Sequence, residues 1–281
     1  RRIPRTVHYF SQIMMLSAAN YREEKIFAPN NLEGEIERYQ SVKHVPFKNE
    51  GTWMVLARIH DVKKEIEKEL YDMGLVYENT QGHKSFNVQQ WQAINFWQCL
   101  MQGGTLTREE ACTMYTFISN IDHGYRSADS QKWNFAHPNQ PFNYDELQLR
   151  AGLQQPKSDW MDALTIKIKD SEKRYFLKCM ENNINLDQKA RIIVDTIHSV
   201  KGSEADHVVI CSKANWPSHF EKKNKEEKVK ELRVWYTGVT RAKKTLHLIN
   251  TDHKYHFPLG KIYNNYKDNY DRQRNIRTSI S

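Results

Sequence analysis

Residues 51–58, Gly-Thr-Trp-Met-Val-Leu-Ala-Arg, contain an unbroken apolar run from Trp53 to Ala57. A strand with one wet face alternates polar and apolar residues. An unbroken run suits a strand covered on both faces, as in parallel sheets. The next residues fix the connection. From His60 to Met73, the residues Val62, Ile66, Leu70 and Met73 recur at helical spacing, and Gly74 stands where a helix takes a glycine beyond its last turn. Leu75-Val76-Tyr77 then opens another strand. Strand, helix and strand in this rhythm predict a parallel α/β sheet flanked by helices.

The rhythm breaks and then returns. Residues 5–18 read as a helix on Val7, Phe10, Ile13 or Met14, and Leu16, and 35–45 can hold a strand. Residues 88–187 read as a mainly helical insertion. It has a Gln- and Trp-rich helix from Val88 to Leu100, a break at Gly103-Gly104, and a helix opened by Thr107-Arg-Glu-Glu110. A loop-rich stretch follows from Asp122 to Pro156, then helices over 159–163 and 171–183. Strands are expected at 190–195, 207–211 and 245–249, with a long charged helix over 223–243. The expected organisation is one α/β domain from 1–87 and 188–260, the insertion at 88–187, and a polar basic tail at 261–281.

Two segments carry chemistry that core packing does not require. Thr196-Ile-His-Ser-Val-Lys-Gly-Ser-Glu204 follows a strand, so it is expected at a carboxyl end, where open α/β sheets bind ligands. Thr196 and Ser199 offer hydroxyls, His198 a ring and Lys201 a cation. Gly202 leaves the backbone free to approach a ligand, and Glu204 can accept from a ribose hydroxyl. A polar turn between strands is the plainer reading of this segment alone. The second segment, Trp235-Tyr-Thr-Gly-Val-Thr-Arg-Ala-Lys243, puts Arg241 37 residues after Glu204, between a helix and a strand. A guanidinium there suits a γ-phosphate, where such a finger is worth ~10³–10⁵ in rate. A cation facing its own helix dipole contributes only about 0.3–1 kcal/mol.

Together and in this order, the two segments resemble the last two motifs, V and VI, of superfamily 1 DNA helicases of the UvrD/Rep/PcrA type. Arg2-Ile-Pro-x-x-Val7 is similar to an N-terminal arginine segment of that family, although Arg1 stands where Tyr is usual. Gly51–Tyr77 looks like its strand–helix segment, with Arg58 on the family's arginine. The resemblance implies a RecA-like fold with the insertion in the place of the family's 2B subdomain. It implies that Arg2 and Arg241 reach the γ-phosphate of ATP, with Gly202 and Glu204 at the nucleotide. It also implies that Thr196, His198, Lys201 and Arg58 lie along DNA. The expected partners are single-stranded and partly duplex DNA and the N-terminal RecA-like domain of the same parent chain. The cofactor is ATP with Mg²⁺, held mainly by that N-terminal domain, and the direction 3′ to 5′. A RecD- or Dda-like 5′-to-3′ helicase and a non-motor nucleic-acid-binding module are the alternatives.

No G-x-x-x-x-G-K-[ST] phosphate loop occurs, since Gly260-Lys261 is followed by Ile262 and has no glycine five residues earlier. The chain is therefore expected to begin just after the domain that carries one, and to be inactive alone. The net charge of +8 favours a polyanionic partner, and 7 Trp, 14 Tyr and 11 Phe supply possible stacking faces. Cys99, Cys112, Cys179 and Cys211 form no CxxC or CxxH pair, which points to free thiols in a reducing, cytoplasmic setting rather than a zinc site. No apolar run approaches the ~20 residues of a bilayer span. His123, Trp133 and His137 are read as packing or surface residues.

Overall fold

The structure, a computed structural model, describes residues 3–16, 28–135, 140–216, 218 and 220–280. Its strands are β1 (Glu35–Tyr39), β2 (Trp53–Ala57), β3 (Tyr77–Glu78), β4 (Ile192–Thr196), β5 (Ala205–Cys211) and β6 (Ala242–Ile249). The α-helices among the described residues are α1 (Arg5–Met15), α2 (His60–Asp72), α3 (Val88–Met101), α4 (Arg108–Tyr115), α5 (Tyr144–Arg150), α6 (Trp160–Ala163), α7 (Asp170–Glu181), α8 (Lys225–Val239) and α9 (Leu259–Ile280). The chain divides into two compact units, Arg1–Ser85 with Lys189–Ser281, and Phe86–Gln188.

The first unit is a six-stranded sheet in the order β1-β6-β5-β2-β4-β3, with every neighbouring pair parallel. This is the α/β class that the apolar run predicts. All five residues of β2 are buried, because its side chains alternate between two covered faces. Met54 and Leu56 join Val208, Ile210, Leu246 and Leu248 in a core with Phe10, Trp235 and Phe257. Trp53, Val55 and Ala57 join Val194 and Val209 on the other face, under Val62, Ile66 and Leu70 of α2. Burying each large aliphatic chain contributes roughly 1.5–3 kcal/mol before the cost of ordering the chain. Gly74, in the left-handed region at φ 69°, ends α2 as its position predicts.

Three expectations change. The helix expected over 223–243 stops at Val239, because Ala242 pairs with Ala205 and begins β6. Residues 261–281 are not a tail in the described part: α9 runs through 280, with buried Tyr266 and Leu259 against the core. Tyr263, Tyr266 and Tyr270 recur on one helical face there, so tyrosines that look polar in composition form an apolar stripe. The strand expected over 35–45 ends at Tyr39. Ser41 then accepts from Lys43 N and opens a 3-10 turn at Val42–His44.

The second unit is helical. Thr107 accepts from Glu110 N and Glu110 accepts from Thr107 N, a capping box that starts α4. Arg126 donates to the Tyr115 and Ile118 carbonyls at 2.8 Å each, which closes the orphaned end of α4 and its following turn. Trp133 is fully buried and donates to the Tyr125 carbonyl at 3.1 Å, so it packs. His137 lies outside the described residues. α5, inside the stretch read as loop, begins at an Asn143–Glu146 capping box. Among the described residues no helix is long and apolar enough to cross a membrane.

Candidate functional site

The Thr196–Glu204 segment does not stay at the carboxyl end of the sheet. It leaves β4 there and descends to the amino end of β5. The register gives the distance. Thr196 stands opposite Ala57, and Trp53 stands opposite His207. Thr196 and Ala205 therefore lie about six residue steps apart along the strands, roughly 20 Å. Ile197 and Val200 are buried in the same core as Met54 and Leu56, so the crossing is pinned against that face. Ile197 N donates to the Ala57 carbonyl at 3.0 Å, and Ser203 N to Val200 O at 3.0 Å. The polar residues between them, His198, Ser199, Lys201 and Gly202, are left exposed. Gly202 has φ 93°, and a Cβ there would meet nothing within 4 Å. Glycine is needed for the left-handed backbone, and the space before it is open.

At the amino end, Arg241 and the end of this loop meet. Ala205 N donates to the Arg241 carbonyl at 3.1 Å. The Arg241 guanidinium donates from Nε to Thr237 O at 2.8 Å, from Nη1 to Ser203 O at 3.4 Å and from Nη2 to Thr240 Oγ1 at 3.4 Å. Gly202, Glu204 and Arg241 thus belong to one end of the sheet, the end opposite to the one that the strand-end rule predicts. Arg2 lies outside the described residues. Pro4 sits where a Cβ on Gly34 would strike it, beside the Lys244 carbonyl, so the start of α1 borders this same amino end.

At the carboxyl end, Thr196 Oγ1 and Ser199 Oγ lie 2.8 Å apart. Arg58 directly follows β2, and Glu231 of α8 accepts from it twice, from Nε at 2.6 Å and from Nη2 at 3.1 Å. Glu231 is 4% exposed and accepts a third bond, from Trp235 Nε1 at 2.9 Å. Partial desolvation, with the Arg58 charge adding to it and Glu231 opposing, holds His198 below the usual histidine range. A ring held neutral keeps one nitrogen as an acceptor at neutral pH.

The same carboxyl end carries a group that the sequence reading passed over. Trp216, after β5, is 54% exposed, and its ring stands edge-on to Tyr255, after β6, at 5.5 Å and 74°. Lys254 Nζ lies 5.4 Å from the Tyr255 ring centre. Ala214 N donates to Tyr255 O at 3.0 Å and fixes the two loops together. Trp216 was not singled out among the 7 Trp that supply possible stacking faces. A Trp in a polar stretch beyond a strand end is the signal that could have found it.

Residues 155–253 match a family model. It is the UvrD-like helicase C-terminal domain. The match covers about a third of the chain, beginning in the helical unit and running through β4, β5, α8 and β6. Both the Thr196–Glu204 and Trp235–Lys243 segments lie inside it, in agreement with the resemblance those segments carry. Arg58 lies outside the matched residues. No curated protein matches the chain.

Proposed function

We propose that this chain is the C-terminal module of an ATP-driven DNA helicase or translocase of the UvrD type. One observation supports this reading above the others: a single short segment, 197–204, joins two chemically different ends of one sheet. The amino end, with Gly202, Glu204 and Arg241, suits a nucleotide. The carboxyl end, with Thr196, His198, Arg58 and the Trp216–Tyr255 pair, suits a single strand, and exposed Lys201 lies on the segment between them.

At the amino end, ATP with Mg²⁺ brings the anionic γ-phosphate, and the N-terminal RecA-like domain of the parent chain holds both. The fit rests on the residues present. Arg241 rests on carbonyl and hydroxyl oxygens, two of them at 3.4 Å, so it turns towards a phosphate without breaking a charged pair in that set. Arg2 is assigned to the same phosphate by sequence. At the carboxyl end, exposed His198 and Ser199 offer groups to the DNA backbone, with Thr196 buried behind Ser199, and Trp216 with Tyr255 offers faces for bases. Closing and opening of the cleft between the two RecA-like domains moves the strand, in the 3′-to-5′ direction.

The test uses the parent chain. Arg241→Ala is expected to lower ATP turnover by ~10³–10⁵ with the fold retained by circular dichroism. Turnover within a few-fold of wild type would remove the arginine from its role. Unwinding of tailed duplexes in the 5′-to-3′ sense would overturn the direction. The Trp216–Tyr255–Lys254 group favours one second reading, a nucleic-acid-binding module without a motor, because such a platform needs no second domain. A parent that binds DNA but does not hydrolyse ATP would favour it.

A further inference from the structure

We infer that Glu231 is a positioning residue that couples the proposed DNA end of the sheet, through α8, to the turn that carries Arg241. The inference rests on the proposed single-strand contact at that end.

The geometry is specific. Glu231 lies on the buried face of α8 with Val229, Leu232, Trp235 and Val239. Three N–H groups converge on its carboxylate, two from Arg58 and one from Trp235. A fork-to-carboxylate pair with two parallel bonds fixes orientation as well as distance. Arg58 is thereby held at the end of β2, close enough to His198 for its charge to act on that ring. The Arg58 side chain keeps 20% of its surface exposed, so it can meet a phosphate. Burial leaves Glu231 no water to fall back on, so it cannot lose Arg58 freely.

Trp235 supplies the second arrangement. When a phosphate draws Arg58 away from the carboxylate, the indole N–H still holds Glu231. The pair therefore has two states, one with Glu231 shared between Arg58 and Trp235, and one with Glu231 on Trp235 alone. α8 translates the difference along its length. From Glu231 the helix runs eight residues on to Val239, about 12 Å of rise, and Arg241 follows two residues later. Trp235 stacks on Phe257 at 4.4 Å and 10°, so a change at Glu231 is felt by a packed body rather than a loose side chain. By linkage, a nucleotide that draws on Arg241 alters the DNA grip by the same factor in return.

The experiment follows the Trp235 indole N–H in ¹⁵N-labelled chain, assigned by triple-resonance NMR, as oligo-dT is added at low salt. Binding is read in parallel by anisotropy of a labelled oligo-dT. Saturation is expected to shift the Trp235 indole resonance although the ring is fully buried. The shift is expected to be lost in Glu231→Gln. It should also shrink in Arg58→Lys, which keeps the charge but not the fork. DNA binding with an unmoved Trp235 resonance would overturn the inference and leave the DNA contact standing. Absence of binding would overturn both. The wild-type titration decides the matter even where a variant fails to fold.

Discussion

Gly238 of α8 and Ile197 of the descending segment meet with almost no room between them: a Cβ on Gly238 would lie 3.4 Å from Ile197 and 3.2 Å from Ile210 Cδ1. The helix lies so close here that even a Cβ would be in tight contact. Gly238→Ala sets a helix-propensity gain of up to about 1 kcal/mol against a contact that Ile210 must relieve by a few tenths of an ångström. The expected change is within 1 kcal/mol of zero. Gly238→Val adds two methyl groups with nowhere to go and is expected to destabilise by about 1–3 kcal/mol. Urea unfolding followed by tryptophan fluorescence measures both. A Val variant as stable as wild type would mean that α8 can stand further from the sheet.

A second expectation concerns acid. His247 is 2% exposed and stacks on Trp53 at 5.1 Å, with His207 on the same indole at 4.3 Å. Burial, opposed by Glu37 and reinforced by His207, pushes the His247 pKa down to about 4. In the unfolded chain the ring takes a proton near 6.5. The unfolded state therefore binds more protons between these values, and stability falls as pH drops from about 6.5 towards 4. The slope is at most about 1.4 kcal/mol per pH unit for one proton. His247→Phe is expected to flatten the denaturation midpoint across that window. An equally steep profile in the variant would assign the loss to other groups.

The third expectation tests the proposed DNA contact and separates stacking from charge. Trp216→Ala is expected to weaken binding of oligo-dT by about 1–3 kcal/mol while leaving the salt slope of affinity unchanged. Lys201→Ala is expected to weaken binding for any base composition and to lower that slope by ~1. Fluorescence anisotropy between low and moderate salt distinguishes the two. A changed slope in the Trp216 variant would mean that the loop, not the ring, carries the effect.

Much of the sheet was readable because burial leaves a local mark. The unbroken run at Trp53–Ala57 required two covered faces, and Gly74 marked the end of α2. The motif residues were readable by type but not by place. Nothing local in Thr196–Glu204 reveals that its two halves lie at opposite ends of the sheet, because that depends on β4 and β5 both running parallel to β2. Arg58 stood out in the sequence only through the resemblance, and its carboxylate partner lies 173 residues away on α8. α9 was missed for a different reason: its buried stripe is tyrosine, which helical and polar readings share.

The descent from β4 to β5 has little slack. Nine residue steps separate Thr196 from Ala205, a reach of roughly 30 Å when fully extended. They must cover roughly 20 Å along the strands and also pass the width of β2, while turning at Ser199 and Ser203. Ile197 and Val200 anchor the path besides. Removing two or three residues would leave a cord too short for its route, and the shortfall would have to be met by sliding one strand against its neighbours. A one-residue slide turns every side chain of that strand to the opposite face. The length of this segment is therefore as strict a requirement as its chemistry.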